Sequence, residues 1–422
     1  MKLALKNGKA YIEGKLVKTN ILCANGKIAE IGAKEFDAEH EIDCKGKIIL
    51  PGAIDCHVHF RTPGFEYKED WCSGSLAALH GGVTTVMDMP NNDPPIISAT
   101  IFEKKRRIVE EESLVSFELY MGATENNLHE MEKAKGLHAV KLYFGHTTGN
   151  LLMNNPDAIR ELFLLSRKKG FVVVAHAEDD KVVTENEKIF KNENWPETHV
   201  LIRNEKAEVS AIRTLLNIQN ETGGHLHFAH VSSKGGLKLI LQGKKLRFGN
   251  HITFEVSPNH LFLDSNDYKT LGNLIKCNPS IKGPEHRIAL YSALKNGLID
   301  VVATDHAPHT FEEKQLDYWQ CPSGIPGIET MVPLLLNEVV EKKISLQNMI
   351  KVVSENPAKI FNLQNKGFIR KGFDADLIII DLNKNTLIQN ARLFTKAKYS
   401  PFDGMELKGC IEHVIARGNV YG

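Results

Sequence analysis

The sequence has no surplus of charge: 52 Lys and Arg balance 52 Asp and Glu over 422 residues, for a formal net charge of 0. Without a basic excess nothing is available to neutralise a phosphate backbone or an anionic bilayer, so nucleic acid is set aside as a partner. No apolar run reaches the ~18 residues that a bilayer span requires. The first residues, MKLALKNGKAYIEGK, lack the long apolar stretch of a secretion signal. A membrane is therefore set aside too, and the expectation is a soluble, unprocessed, cytoplasmic chain. Cysteine is sparse and unpatterned. The seven (Cys23, Cys44, Cys56, Cys72, Cys277, Cys321 and Cys410) are odd in number and never form C-x-x-C. That speaks against a disulfide framework or a zinc knuckle and fits a reducing compartment. Low-complexity tracts and internal repeats are also missing. What remains, at 42% hydrophobic and 25% charged, is an ordinary globular composition with enough chain for a large core.

Within that composition runs a regular rhythm. Between about residues 50 and 305 there are eight short runs rich in Val, Ile, Phe and Thr, most separated by a helix-like stretch. The first, IILPGAIDCHVHF, ends near Phe60, and the others lie near 83–90, 114–122, 139–144, 171–178, 225–232, 252–258 and 299–309. This alternation predicts an α/β fold, a (β/α)8 TIM barrel of buried parallel strands. The stretch 155–170 has a complete helix grammar, with Asn155 to cap, Pro156 at the first helical position and Gly170 as the stop. Residues 204–221 and 284–296 also read as helices. The flanks differ: both alternate apolar and polar residues, with turn signals at Asn7-Gly8 and Asn25-Gly26. The expected organisation is a small composite β-sandwich from residues 1–50 and 356–422 around a catalytic barrel spanning 51–355. Segment 310–327, after the eighth strand, is long and carries Gly324 and Gly327, which makes it a candidate lid.

Barrel enzymes carry their chemistry at the C-terminal ends of the strands. Five runs end in, or carry, metal-capable or cationic groups: His57 and His59 on the first, Lys141 on the fourth, His176 on the fifth, His230 on the sixth and Asp305 on the eighth. Alternation puts His57 and His59 on one face, with Arg61 following if the chain stays extended. One strand-end histidine is more often a hydrogen-bonded core residue than a ligand. Four with a carboxylate at one barrel mouth suit zinc or a similar divalent ion, and two ions are plausible. His225 and His227 share the opposite face from His230 and are read as structural, as are His80, His129, His138, His146, His199, His251 and His286. Glu178 and Glu255, near strand ends, read as groups that fix ligands or loops.

Six motifs in order, DCHVHFRTPG at 55–64, MPN at 89–91, KLYF at 141–144, HAE at 176–178, HVSS at 230–233 and DHAPH at 305–309, resemble the dihydroorotases of the amidohydrolase superfamily. The likeness spans nearly the whole chain, including G-x-D-A-D-L at 372–377. It implies a zinc-dependent hydrolase that reversibly opens the cyclic amide of dihydroorotate to N-carbamoyl-aspartate, a step of pyrimidine biosynthesis. It further implies two Zn2+ ions, one on His57, His59 and Asp305, the other on His176 and His230. Lys141 would bridge them as a carbamate formed with carbon dioxide. Asp305 would be the catalytic proton carrier. His59, Arg61, Asn91 and His309 would contact the substrate, with Arg61, Asn91 and His309 clamping its carboxylate. Asn278 and the Ser323–Gly324 backbone would touch the ring. The motifs depart from the family at Thr62, where an acidic residue is commoner before the proline, and at Asn92, where Thr is commoner.

Two rivals stand beside this reading. An allantoinase or hydantoinase would share the metals but needs no anion clamp, so Arg61, Asn91 and His309 argue against it. A non-catalytic scaffold relative would usually have lost ligands, and here each expected ligand type is present. The expected partner is a small-molecule substrate; a homo-oligomer or association with a transcarbamoylase is compatible with the sequence.

Overall fold

The computed structural model describes residues 2–146 and 151–422. Eight parallel strands form its centre in sequence order: β1 (Ala53–Val58), β2 (Val83–Asp88), β3 (Ser116–Gly122), β4 (Ala139–Tyr143), β5 (Val172–His176), β6 (Leu226–Phe228), β7 (Ile252–Val256) and β8 (Val301–Val302). The sheet closes on itself just beyond the strands. Val58 bridges His306 in parallel, and the His59 amide donates to the His306 carbonyl at 2.8 Å. A barrel of this kind lets each strand bury both faces, which is why the runs are continuously apolar rather than alternating. Its interior is packed by Ile54, Met87, Tyr120, Val174 and Val301, and Ala358 and Phe361 from the chain after the barrel join the same cluster.

The helices obey the sequence grammar. Asn155 caps Pro156–Lys169 by accepting from the Asp157 amide, and Gly170 ends it at φ 85°. Ile159, Leu162, Phe163 and Ser166 recur on its buried face at the helical period. Helices Glu205–Thr222 and Pro284–Lys295 lie where the pattern placed them. Among the described residues no helix is long and apolar enough to cross a membrane.

The termini build two further sheets. One has four strands in the order Lys27–Gly32, Asn20–Ala24, Lys2–Lys6, His40–Asp43. The other has six and joins N- and C-terminal chain, with Ile48–Pro51 lying between Leu377–Leu387 and Lys9–Ile12. Leu3, Leu5, Ile21 and Ile28 of the first pack on Ile49, Leu377, Ile379 and Ile415 of the second. Alternate residues Ile378, Ile380 and Val414 point the other way and join the core around the barrel. Leu377–Leu387 thus has both faces of its first half buried, and its apolar run is explained.

Candidate active site

The strand ends converge on one mouth. His57 lies in β1 and His59 just beyond it, Lys141 lies within β4, and His176 ends β5. His230 and Asp305 follow β6 and β8 in left-handed backbone conformations, φ 34° and 50°. Arg61 is also left-handed, at φ 65°, so the extended chain does not continue past His59 as the alternation assumed. Its side chain is nevertheless delivered to the mouth by a turn in which the Thr62 amide donates to the Phe60 carbonyl. Left-handed geometry costs an L-residue roughly 1–2 kcal/mol. Three instances at one cavity are the sort of local strain that collects at working sites.

The cavity is a cleft open to solvent, spanning about 400 Å³ when the solvent space at its entrance is counted. Arg61, Asn91, Asn278, Ser323 and Gly324 line it together with His57, His59, Lys141, His176, His230 and Asp305. His309 stands behind this wall: its Nε2 is 3.3 Å from Arg61 Nη2 and 3.1 Å from the Ser323 carbonyl. Two lining residues, Tyr143 and Ala307, escaped the sequence reading, although each stands two positions beyond a residue that it singled out, Lys141 and Asp305.

Three histidines have one ring nitrogen tied back and the other turned to the centre. His57 Nδ1 is held by Glu255, His59 Nδ1 by Asn91 Oδ1 at 2.7 Å, and His176 Nε2 by Glu178 Oε2 at 2.9 Å. The opposite nitrogens face the mouth: His57 Nε2 and His59 Nε2 lie 3.3 and 3.2 Å from Asp305 Oδ1, and His176 Nδ1 lies 3.1 Å from His230 Nε2. Lys141 Nζ is 3.3 Å from His57 Nε2. Glu255 also receives the His230 amide and the His227 ring, so His227 is a support beneath the mouth. Glu178 is gripped in turn by Arg203.

Electrostatics point the same way. Burial lowers the His59 pKa to about 4, lowers His176 and pushes His230 well down, so these rings are neutral, which is the ligating form. Burial also drops the Lys141 amine to about 8. For Asp305 burial works upward, but the His57 and His59 rings outweigh it and hold the carboxyl below its ordinary value. Among the described residues, the buried Nδ1 of His230 has no hydrogen-bond partner. A buried cluster of imidazoles and one carboxylate, with ligand atoms of His57, His59 and Asp305 all within 4.8 Å of one another, fits a divalent cation.

Arg61 is buried at 5% exposure, donates from Nε to the Pro308 carbonyl at 3.2 Å, and among the described residues forms no ion pair with a carboxylate within 4 Å. Burial disfavours its charge. Segment 310–327 is a pinned wall rather than a loose loop. The Lys314 ammonium donates to the carbonyls of Lys276, Pro322 and Gly324, each at 3.0 Å, and Lys276 Nζ donates to those of Tyr318 and Cys321. A Cβ on Gly324 would sit 2.3 Å from the Ala307 carbonyl, so only glycine permits this approach.

Comparison with known proteins agrees with this geometry. A dihydroorotase of Methanosarcina acetivorans is 37% identical over 99% of this chain and 91% of its own length. One from Methanothermobacter thermautotrophicus is 38% identical over 94% and 90%, and one from Pyrococcus furiosus 35% over 98% and 91%. Among solved structures, the L-hydantoinase (dihydropyrimidinase) of Arthrobacter aurescens superposes with a TM-score of 0.93 at 30% identity, covering 99% of this chain and 95% of that one. The model of the amidohydrolase family matches residues 48–421, and the chain belongs to that family.

Proposed function

We propose that the chain is a metal-dependent dihydroorotase, which hydrolyses the cyclic amide of dihydroorotate to N-carbamoyl-aspartate and closes it again in reverse. The observation that carries the choice of substrate is Arg61, a buried cation with no carboxylate partner among the described residues, on the same cavity wall as the metal-capable cluster. A planar guanidinium fork suits a carboxylate, and a site holding one unanswered rejects neutral rings. Hydantoinases among the structural neighbours share the fold, and a neutral-ring activity is the second reading; Arg61 weighs against it.

His57, His59 and Asp305 would hold one Zn2+, His176 and His230 the other, with Lys141 between them. Bound there, the ions would supply acidified water and polarise the carbonyl. An ammonium at Lys141 would repel two cations, so its role requires conversion: the Nζ lone pair bonds to the carbon of CO2 and a proton is released, leaving an anionic carbamate. A buried amine whose pKa has fallen to about 8 carries the free lone pair this needs in a far larger share of molecules near neutrality than an ordinary lysine does.

The protein's own residues do the rest. Arg61 and Asn91 bind the substrate carboxylate, with His309 buttressing Arg61 from behind, and Asn278 and the Ser323–Gly324 backbone fix the ring. As water adds to the amide carbon, Asp305 takes its proton; as the carbon–nitrogen bond breaks, Asp305 returns that proton to the departing ring nitrogen. Held below its ordinary pKa, the Asp305 carboxylate is free to accept at neutral pH. The experiment is turnover of dihydroorotate by protein stripped with a chelator and then given zinc. Activity lost and restored is expected; activity untouched by stripping, or none after reloading, would refute the reading.

A further inference from the structure

Asn278 lines the cavity and can offer a ligand either its acceptor oxygen or its donor NH2 group. Neighbours outside the cavity decide which. The His199 ring, 2% exposed, stands behind it on the short helix Thr198–Ile202. His199 Nε2 lies 2.8 Å from the Cys277 carbonyl and 3.0 Å from Asn278 Oδ1. A backbone carbonyl only accepts, so Nε2 carries the proton. Nδ1 is then an acceptor, and the Tyr318 hydroxyl, 3.0 Å away, donates to it. Burial lowers the His199 pKa to about 3, so the ring is neutral and has no second proton. Every direction in the chain is thereby set, from the Tyr318 hydroxyl through His199 to the oxygen of Asn278.

We infer that His199 and Tyr318 are positioning residues that turn the Asn278 carboxamide so that its NH2 edge, not its oxygen, meets the ligand. The site therefore selects a ring bearing a carbonyl acceptor at that point, as a cyclic ureide does. The device also ties ring recognition to the wall segment, because Tyr318 belongs to 310–327. Lys276, the neighbour of Cys277, stands 4.3 Å from the centre of the Tyr318 ring. A lone buried histidine reads as structural from sequence, and here it acts through the residue beside it. The inference rests on the dihydroorotase reading for the identity of the ligand, though not for the hydrogen-bond directions.

Steady-state kinetics on zinc-loaded wild type, His199→Leu, Asn278→Ala and the double variant test it. His199→Leu is expected to raise KM for dihydroorotate about tenfold with kcat changed less than about threefold. His199→Gln, which restores an N–H donor, should recover most of that loss. In the Asn278→Ala background His199→Leu should add less than about a factor of two, since the residue it acts through is gone. An unchanged KM in folded His199→Leu, or the same factor in both backgrounds, would overturn the inference. Tyr318→Phe, which removes one hydroxyl, gives the same comparison should the leucine variant not fold, with a KM rise of about two- to threefold expected only where Asn278 is present. Nitrogen-15 NMR needs no substrate: the His199 signals, identified by their loss in His199→Gln, should show a neutral ring protonated at Nε2. A ring protonated at Nδ1 refutes the inference alone, whereas wild type inert on dihydroorotate refutes the functional reading alone.

Discussion

Replacing Arg61 with Met removes the fork while keeping much of the volume. The guanidinium is 5% exposed and its Nε is already committed to the Pro308 carbonyl, which orients the remaining N–H groups. A hydrogen bond to a charged group contributes about 1.5–3 kcal/mol. Two to one carboxylate make about 3–6 kcal/mol, or about 10²–10⁴ in kcat/KM at about 1.4 kcal/mol per decade. The carboxylate is unchanged by the reaction, so it is bound alike in ground and transition states. Most of the loss therefore belongs in KM. Stability should move the other way or not at all, because the variant no longer buries a cation that has no carboxylate partner. The assay is steady-state hydrolysis of dihydroorotate with a thermal unfolding curve on the same samples. A folded, metal-loaded variant within about threefold of wild type in kcat/KM would refute the clamp, since that is less than one such bond contributes.

Asp305→Asn should lower kcat by about 10²–10⁴ while leaving metal largely bound; metal analysis beside kinetics checks it, and loss of metal equal to that of activity would contradict the proton-carrier role. Lys141→Ala should lose activity and one of two metals per chain, with partial rescue by added small carboxylic acids; full activity without them would show that Lys141 is no bridge. Glu313, whose hydrogen bond from His309 outweighs burial and which also receives Lys68, has a pKa depressed from 4.5 to about 2. A carboxyl with a depressed folded pKa stabilises the fold above its unfolded value, and that contribution fades as pH falls through the folded one. Glu313→Gln should therefore unfold at lower temperature than wild type at pH 7, with the gap closing between about pH 4.5 and 2; a gap constant across that window would contradict the assignment.

The barrel was legible because strands buried on both faces leave apolar runs, and even β8, reduced to Val301–Val302, is marked by its flanks Ile299 and Asp305. The helix Pro156–Lys169 was readable to its caps, since Asn155, Pro156 and Gly170 act locally. The mouth residues were legible as types at strand ends, and β1 alternation gave His57 and His59. Arg61 reaches the cavity by a left-handed turn that alternation does not encode. Tyr143 could have been found from Lys141 by the same period of two. Asn278 was legible through the family resemblance alone, and its tie to His199 and Tyr318 was not, because those contacts close over 79 and 119 residues and nothing local marks them. The pinning of segment 310–327 was hidden for the same reason: a lysine sequence looks like a solvated surface, whereas Lys314 is 1% exposed and spends its ammonium on three carbonyls.

The central claim is a metal site coupled to a carboxylate receptor, and it is tested most directly by comparing kcat/KM for dihydroorotate with that for dihydrouracil, the same ring without the carboxylate, on one zinc-loaded preparation. A preference for dihydroorotate of at least about 10² is expected from the loss of charge-assisted bonds alone. Equal rates, or a preference for the neutral ring, would contradict the account and leave a metal-dependent cyclic amide hydrolase of the hydantoinase kind.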